Sequence, residues 1–324
     1  MATYLIVNFG GPRNAAEIEP FLRSLLTDRD VIRSRWPDWL HNWFFGRIAR
    51  KRAPKIAPDY EKIGFSPIFK DTETLKESLA ASLGTETISF YRYLPMTHAE
   101  SLKRIEDCRA NEIRVIPLFP QFCFGTTGSA ARFLASRLSP NAVQKLRWVR
   151  SYADHPTFIE AWKTRIGRFL EECGLKEEDA AFLFSAHGVP RSFIDEGDPY
   201  EEECRRSFSL VMSRFPKAVG KLAYQSKFGR GEWLKPYTDE ACNDVLSWSE
   251  GRKAVVFIPI TFTTDHIETL YEIEELYLPL VREKRLEAFR CPCLNLDPEW
   301  RLALARIAKE EAKNSTQSLI RTPS

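Results

Sequence analysis

The sequence predicts an α/β protein made of two similar doubly wound domains, each with a parallel four-stranded sheet, facing each other across a cleft. Three observations carry this expectation. Short apolar runs rich in Val, Ile, Leu and Phe recur at 3–9, 87–91, 113–119, 145–149, 180–185, 219–224, 254–260 and 286–289. Longer stretches with helical periodicity, such as HAESLKRIEDCRAN and PTFIEAWKTRIGRFLEECG, separate most of them, and strands alternating with helices form parallel sheets covered on both faces. The runs also divide into two sets that echo each other: LIVNFGGP against FLFSAHGVP at the first strands, VIPLFPQF against FIPITFTT at the third.

The expected organisation is an N-terminal domain over 1–160 with an aromatic segment at 34–66, a C-terminal domain over 161–310, and a polar tail over 311–324. With 324 residues and 44% apolar content the chain can fill two cores. Its 47 basic and 44 acidic residues nearly balance, with no basic block, which argues against nucleic acid as a partner. Seven cysteines, an odd number without paired spacing, read as reduced thiols of a cytoplasmic protein. The start, MATYLIVNFGGPRN, lacks the charged region and cleavage site of a signal peptide, and no run approaches the ~20 apolar residues of a membrane span. Peripheral contact with the inner face of the cell membrane stays open.

Ligands of open parallel sheets bind beyond the C-terminal ends of the strands, which selects the loops at 9–13, 92–97, 119–129, 186–192, 225–237 and 261–268. Ahead of the second strand, RWPDWLHNWFFGRIARKRAPKI puts Trp36, Trp39, Leu40, Trp43 and Phe44 on one helical face, followed by Arg50, Lys51 and Arg52. That face is either a core helix with basic residues near its C-terminus or an apolar lip suited to a flat ligand with carboxylates, or to a membrane surface. His187 follows the strand AAFLFSA, with Gly188 and Pro190 shaping its loop; an imidazole there can accept a proton or bind a metal at neutral pH, or only hydrogen-bond its own loop. Trp233, in YQSKFGRGEWLKPYTDE, follows the next strand.

The stretch ITFTTDHIETLYEIEELY is the most acidic of these. A helix starting near Thr264 would place Asp265, Glu268, Glu272 and Glu275 on one face, where like charges repel unless a cation or solvent relieves them. Neither the HExxH spacing of zinc hydrolases nor the H-x-E…P-C-x-x-C pattern of zinc deaminases is present. One imidazole with several carboxylates suits a divalent first-row ion held loosely and passed on.

Together, LIVNFGGP, KRAPKIAPDYEKIGFSPI, FYRYLPMT, PLFPQFCFGTTGS, SAHGVP, YQSKFG, EWLKPYTDE and FTTDHIETLYEIEELY resemble the ferrochelatase family in order and along nearly the whole chain. The resemblance implies two Rossmann-like domains and the insertion of Fe2+ into a porphyrin to make haem. By it His187 and Glu268 are the expected catalytic and iron-site residues, Arg52, Tyr60 and Ser66 are porphyrin contacts, and Phe9, Trp233 and Phe262 line the macrocycle. Asp265 and Glu272 would extend an acidic path behind Glu268. Insertion expels two pyrrole protons from a ring that presents its nitrogens badly while flat, so a catalyst should bend the ring and supply a base.

The chain also departs from the family pattern. Phe9 stands where some relatives carry tyrosine or methionine, removing a metal ligand there, and IGFSPI is one residue shorter than a glycine-rich version. Some relatives carry a [2Fe-2S] cluster; here the tail has no cysteine, Phe124 takes the internal cysteine position, and Cys291 and Cys293 form only a C-x-C pair, so no cluster is expected. Iron is then a substrate, with no permanently bound cofactor, and the implied partners are porphyrin, ferrous iron and a haem acceptor protein. The Trp-rich lip leans toward protoporphyrin IX over the more charged coproporphyrin III. Two rivals remain: a non-catalytic porphyrin carrier, and a chelatase for a carboxylate-rich tetrapyrrole such as sirohydrochlorin, which would need more arginines.

Overall fold

The computed structural model describes residues 2–229 and 231–321. Nine strands occur among them: β1 (Thr3–Asn8), β2 (Thr87–Tyr91), β3 (Ile113–Pro117), β4 (Leu146–Val149), β5 (Ala180–His187), β6 (Val219–Gln225), β7 (Ala254–Ile258), β8 (Glu287–Arg290) and β9 (Ala312–Ser315). The chain divides into two units. The second is Tyr152–Ala303; the first takes the chain up to Ser151 and again from Leu304.

In the first unit the strand order is β2-β1-β3-β4-β9, parallel except for β9, which runs antiparallel to β4. In the second it is β6-β5-β7-β8, all parallel. The central strands are buried along their length because helices cover both faces, which requires near-continuous apolar runs such as TYLIVN and AAFLFSA. Leu5, Val7, Phe90, Val115 and Trp148 anchor the first core; Leu183, Val255, Phe257, Ile273 and Val281 anchor the second.

The first four strands of each unit follow the same order, and in each the third strand leads into a π-helix, Phe124–Gly128 after β3 and Glu268–Tyr277 after β7. Bonds of the i→i+5 type mark both, from the Gly128 amide to the Cys123 carbonyl (3.1 Å) and from the Leu278 amide to the Ile273 carbonyl.

Two sequence expectations are corrected here, and one left open is decided. The division falls at residue 151, not 160: a boundary at 160 would cut the helix Pro156–Glu172, whose buried Phe158, Ile159, Trp162 and Ile166 form one continuous face. Residues 311–321 are not a tail. Asn314 donates from Nδ2 to the Trp148 carbonyl (3.2 Å), Thr316 accepts from the Trp148 indole (3.0 Å), and Leu319 enters the first core. AKNS has no apolar alternation to betray an edge strand, so hydrophobicity alone does not reveal β9; positions 322–324 lie outside the described residues.

The aromatic segment decides the open one. The helix Asp38–Lys62 buries His41, Ala49, Ala53 and Tyr60, while Trp39 (71%) and Trp43 (56%) are exposed, as are Trp36 and Phe44. Trp36 precedes the helix and packs edge-on against Phe44. This face is therefore a surface, and the core-helix reading fails.

Candidate active site

The second unit's chemistry gathers at the C-terminal edge of its sheet. β5 is central, so its last residue, His187, emerges beside the end of β6, at Gln225, and the turn after β7. The Gly188 amide donates to the Gln225 carbonyl (2.8 Å), and a Cβ on Gly188 would lie 2.8 Å from that oxygen, so only glycine permits the approach. The His187 backbone amide donates to Thr261 Oγ1 (3.1 Å), and the Tyr200 hydroxyl donates to the His187 carbonyl (2.9 Å). The ring's Nδ1–H donates to the Gly188 carbonyl, leaving Nε2 as the nitrogen that faces Glu268. This Nε2 lies 3.7 Å from Glu268 Oε1, and the side chain is 36% exposed, open to a ligand.

Glu268 lies between two imidazoles. Its Oε2 is buried, 3.5 Å from His266 Nε2, and accepts no hydrogen bond among the described residues. Burial works to raise its pKa, but the charge of His187 and the contact with His266 outweigh that and hold it below the usual carboxylate range. The reverse holds for His266: burial works to lower it, while Glu268 and then Asp265 raise it above the ordinary imidazole value. Its Nδ1–H donates to the Thr264 carbonyl (3.2 Å), which points Nε2 at Glu268, and its ring packs 4.7 Å from Phe262.

Glu272 lies four residues on. Its Oε2 accepts from Ser226 Oγ (2.5 Å) and Gln225 Nε2 (3.2 Å). Burial, then the charge of Glu268, push its carboxyl up to about 7. Two carboxyls one turn apart are thus driven in opposite directions, one ionised and the next poised near neutrality, the pattern of an acid and a base sharing a site. Both lie on the π-helix, whose turn is wider than an α-helix's and rotates a residue seven positions on to the other side.

That wider turn corrects the expected acidic face. Glu275 is turned away and exposed. Asp265 lies before the helix, not on it: its Oδ1 accepts from Arg290 Nη1 (2.9 Å) and Thr269 Oγ1 (2.8 Å), its Oδ2 from Asn295 Nδ2 (2.7 Å) and the Cys293 amide (3.3 Å). With its oxygens so engaged, Asp265 braces the turn that leads into the helix. Arg290 also donates to Glu274 Oε1 (2.8 Å), fixing the helix from the β8 side.

His187 Nε2 and Glu268 Oε1 are the donors best placed for a cation. At 3.7 Å apart they suit two ligands about 2.1 Å from one first-row ion, subtending roughly 120°. Among the described residues no group of three or more His, Cys, Asp and Glu is arranged to hold a metal ion.

The other expected residues fall in two places. Phe262 is 6.4 Å from the His187 ring, edge to face, and Trp233 bridges to Pro190 in the loop that follows His187. In the first unit Phe9 follows β1 and packs against Tyr93 (4.5 Å between centroids), and Ser66 sits over Gly11, where a Cβ would collide with it. The Ser66 hydroxyl is buried with no hydrogen-bond partner among the described residues, while its amide donates to the Pro12 carbonyl (3.0 Å). Tyr60 is buried near the end of the helix Asp38–Lys62, and Arg52 is half-buried on the same helix. The sequence reading had passed over His266, Gln225 and Ser226. His266 carried a local signal, an imidazole two residues from Glu268; the other two had none, since nothing in YQSKFG points to residues more than forty positions away.

Comparison with known proteins gives the family. The family model described as Ferrochelatase matches residues 3–312. The ferrochelatase of Chlamydia abortus is 41% identical over 323 residues, 99% of this chain and 100% of that protein, and that of Chlamydia felis is 40% identical over 99% of each. Among solved structures, SirB from Bacillus subtilis superposes with a TM-score of 0.55 over 98% of both chains at 13% identity. CbiX, a terminal enzyme of sirohaem biosynthesis in denitrifying bacteria, superposes at 0.53 over 95% of this chain and 98% of its own, at 16% identity. These two share the α/β architecture, and with relatives matched end to end at about two residues in five, this chain belongs to the ferrochelatase family of metal-inserting enzymes.

Proposed function

We propose that the protein inserts Fe2+ into protoporphyrin IX, releasing two protons and forming protohaem, with His187 and Glu268 as its catalytic pair. The observation that carries this reading is the carboxylate of Glu268 between His187 and His266, with Glu272 pushed up to about 7 one turn behind. The free base loses two pyrrole N–H protons, and the resulting dianion takes the dication, so charge balances. His187 accepts a pyrrole proton at Nε2; Glu268 receives it or holds the incoming ion; Glu272 passes protons onward.

Phe9, Phe262 and Trp233 are assigned to the macrocycle faces, and Arg52, Tyr60 and Ser66 to its polar periphery. The partnerless Ser66 hydroxyl supports the last assignment, since a buried donor calls for an acceptor. Glu268 and His187 are assigned as iron contacts, iron being substrate. The exposed Trp36, Trp39, Trp43 and Phe44, with the Arg47 guanidinium over the Trp43 ring (5.2 Å), support peripheral docking on an anionic membrane from the cytoplasmic side. No helix among the described residues is long and apolar enough to cross a membrane.

The test is anaerobic Fe2+ insertion, and Zn2+ insertion, into protoporphyrin IX and coproporphyrin III, by wild type and His187→Ala, with porphyrin binding followed separately by fluorescence. Wild type should turn over protoporphyrin IX, and His187→Ala should bind it without turnover. Equal binding without turnover in both proteins would make the chain a carrier. Preference for coproporphyrin III would overturn the choice of substrate.

A further inference from the structure

The Gln225 side chain is hydrogen-bonded to both Glu268 and Glu272. It ends β6 and is 2% exposed. Its Oε1 accepts from Ser185 Oγ (2.6 Å), on β5 two residues before His187, and this fixes which way the amide faces. Its Nε2 donates to the Glu268 backbone carbonyl (2.8 Å) and to Glu272 Oε2 (3.2 Å). Its own carbonyl accepts from the Gly188 amide (2.8 Å), beside His187. One buried residue thus joins the strand and loop that carry His187 to the first turn of the π-helix that carries both carboxylates.

We propose that Gln225 is a positioning residue for metal insertion, setting the separation of His187 Nε2 and Glu268 Oε1 by tying the π-helix to the ends of β5 and β6. A fully bonded amide in a buried site fixes geometry because every alternative arrangement leaves a polar group unpaired. The inference rests on the roles proposed for Glu268 and Glu272. A glutamine that merely completed the core would affect stability and leave turnover alone.

The test uses Gln225→Met, which keeps length and volume but has no donor, and Gln225→Glu, which keeps the shape but presents an acceptor to the Glu268 carbonyl. Both are assayed for Zn2+ insertion into protoporphyrin IX alongside Ser185→Ala, which loosens Gln225 without replacing it. Expected is a fall in kcat on the order of 10²-fold for either Gln225 variant, as for about an ångström of misplacement, with porphyrin KM within about twofold of wild type. Ser185→Ala should show a smaller fall of the same kind, and it decides the matter if neither Gln225 variant folds. A kcat within about threefold of wild type in a folded Gln225 variant, or a loss in which KM rises in proportion, overturns the inference. Glu268→Gln run in parallel separates the two levels. Normal turnover there overturns the site assignment and this role with it; loss there with normal turnover in the Gln225 variants overturns only the role of Gln225.

Discussion

Replacing Glu272 by Gln removes an ionisation that the folded protein resists. Burial and the neighbouring charge of Glu268 raise this carboxyl from 4.5 to about 7. At about 1.4 kcal/mol per pKa unit, ionising it costs the native state about 3 kcal/mol more than it costs the unfolded chain. Between these two values the native state keeps a proton that the unfolded state has lost. Its stability is therefore highest below 4.5, falls as pH rises through the window, and carries the whole penalty above about 7. The variant has no such slope, and Gln at 272 can still accept from Ser226. The stability difference, variant minus wild type, should grow by about 3 kcal/mol between pH 4.5 and about pH 8. Urea unfolding of both proteins across that range, followed on the transition of the second unit, measures it, since the other titrating groups are shared. In the same variant metal insertion should slow while porphyrin binding holds. A difference that stays flat with pH would refute the buried, charge-coupled description of Glu272, and an unchanged insertion rate would remove it from the reaction.

Three more outcomes follow from particular contacts. Arg290→Met leaves the buried Asp265 without its cation and releases Glu274; a loss of about 3 kcal/mol in urea unfolding is expected, and less than about 1 would mean that Asn295 and the Cys293 amide suffice. Gly188→Ala forces a Cβ to within 2.8 Å of the Gln225 carbonyl, so the His187 loop must shift and kcat for Zn2+ insertion should drop at least about tenfold in a protein with wild-type circular dichroism. Leu319→Ala, removing a fully buried side chain that the tail expectation would place in solvent, should destabilise the first unit by about 2–4 kcal/mol in thermal unfolding.

The strands of both sheets were legible because parallel strands buried on two faces must be apolar runs, and each predicted run overlaps an observed strand. β9 escaped because an edge strand of AKNS needs no apolar residue. His187 and Glu268 were found as chemistry-bearing residues beyond strand ends, and the structure brings them within 3.7 Å. The acidic face was drawn with an α-helical period, so Glu275 and Asp265 were grouped with Glu268 and Glu272; the chain instead adopts a π-helix, which a period read from charges does not distinguish. Gln225 and Ser226 were invisible for a different reason: they reach Glu272 only through the pairing of β6 with β5 and of β5 with β7, which no local pattern encodes.

The return of residues 304–321 to the first unit gives the protein a particular order of assembly. A chain emerging from the ribosome at about 5–20 residues per second exposes the outer edge of β4 roughly ten to thirty seconds before β9 can cover it. Throughout that interval the second unit has all of its own strands or is acquiring them, while the first presents an open sheet edge and an unfilled place beside Trp148. The first unit is therefore completed only after the second, and through that interval the edge of β4 is open to wrong pairing.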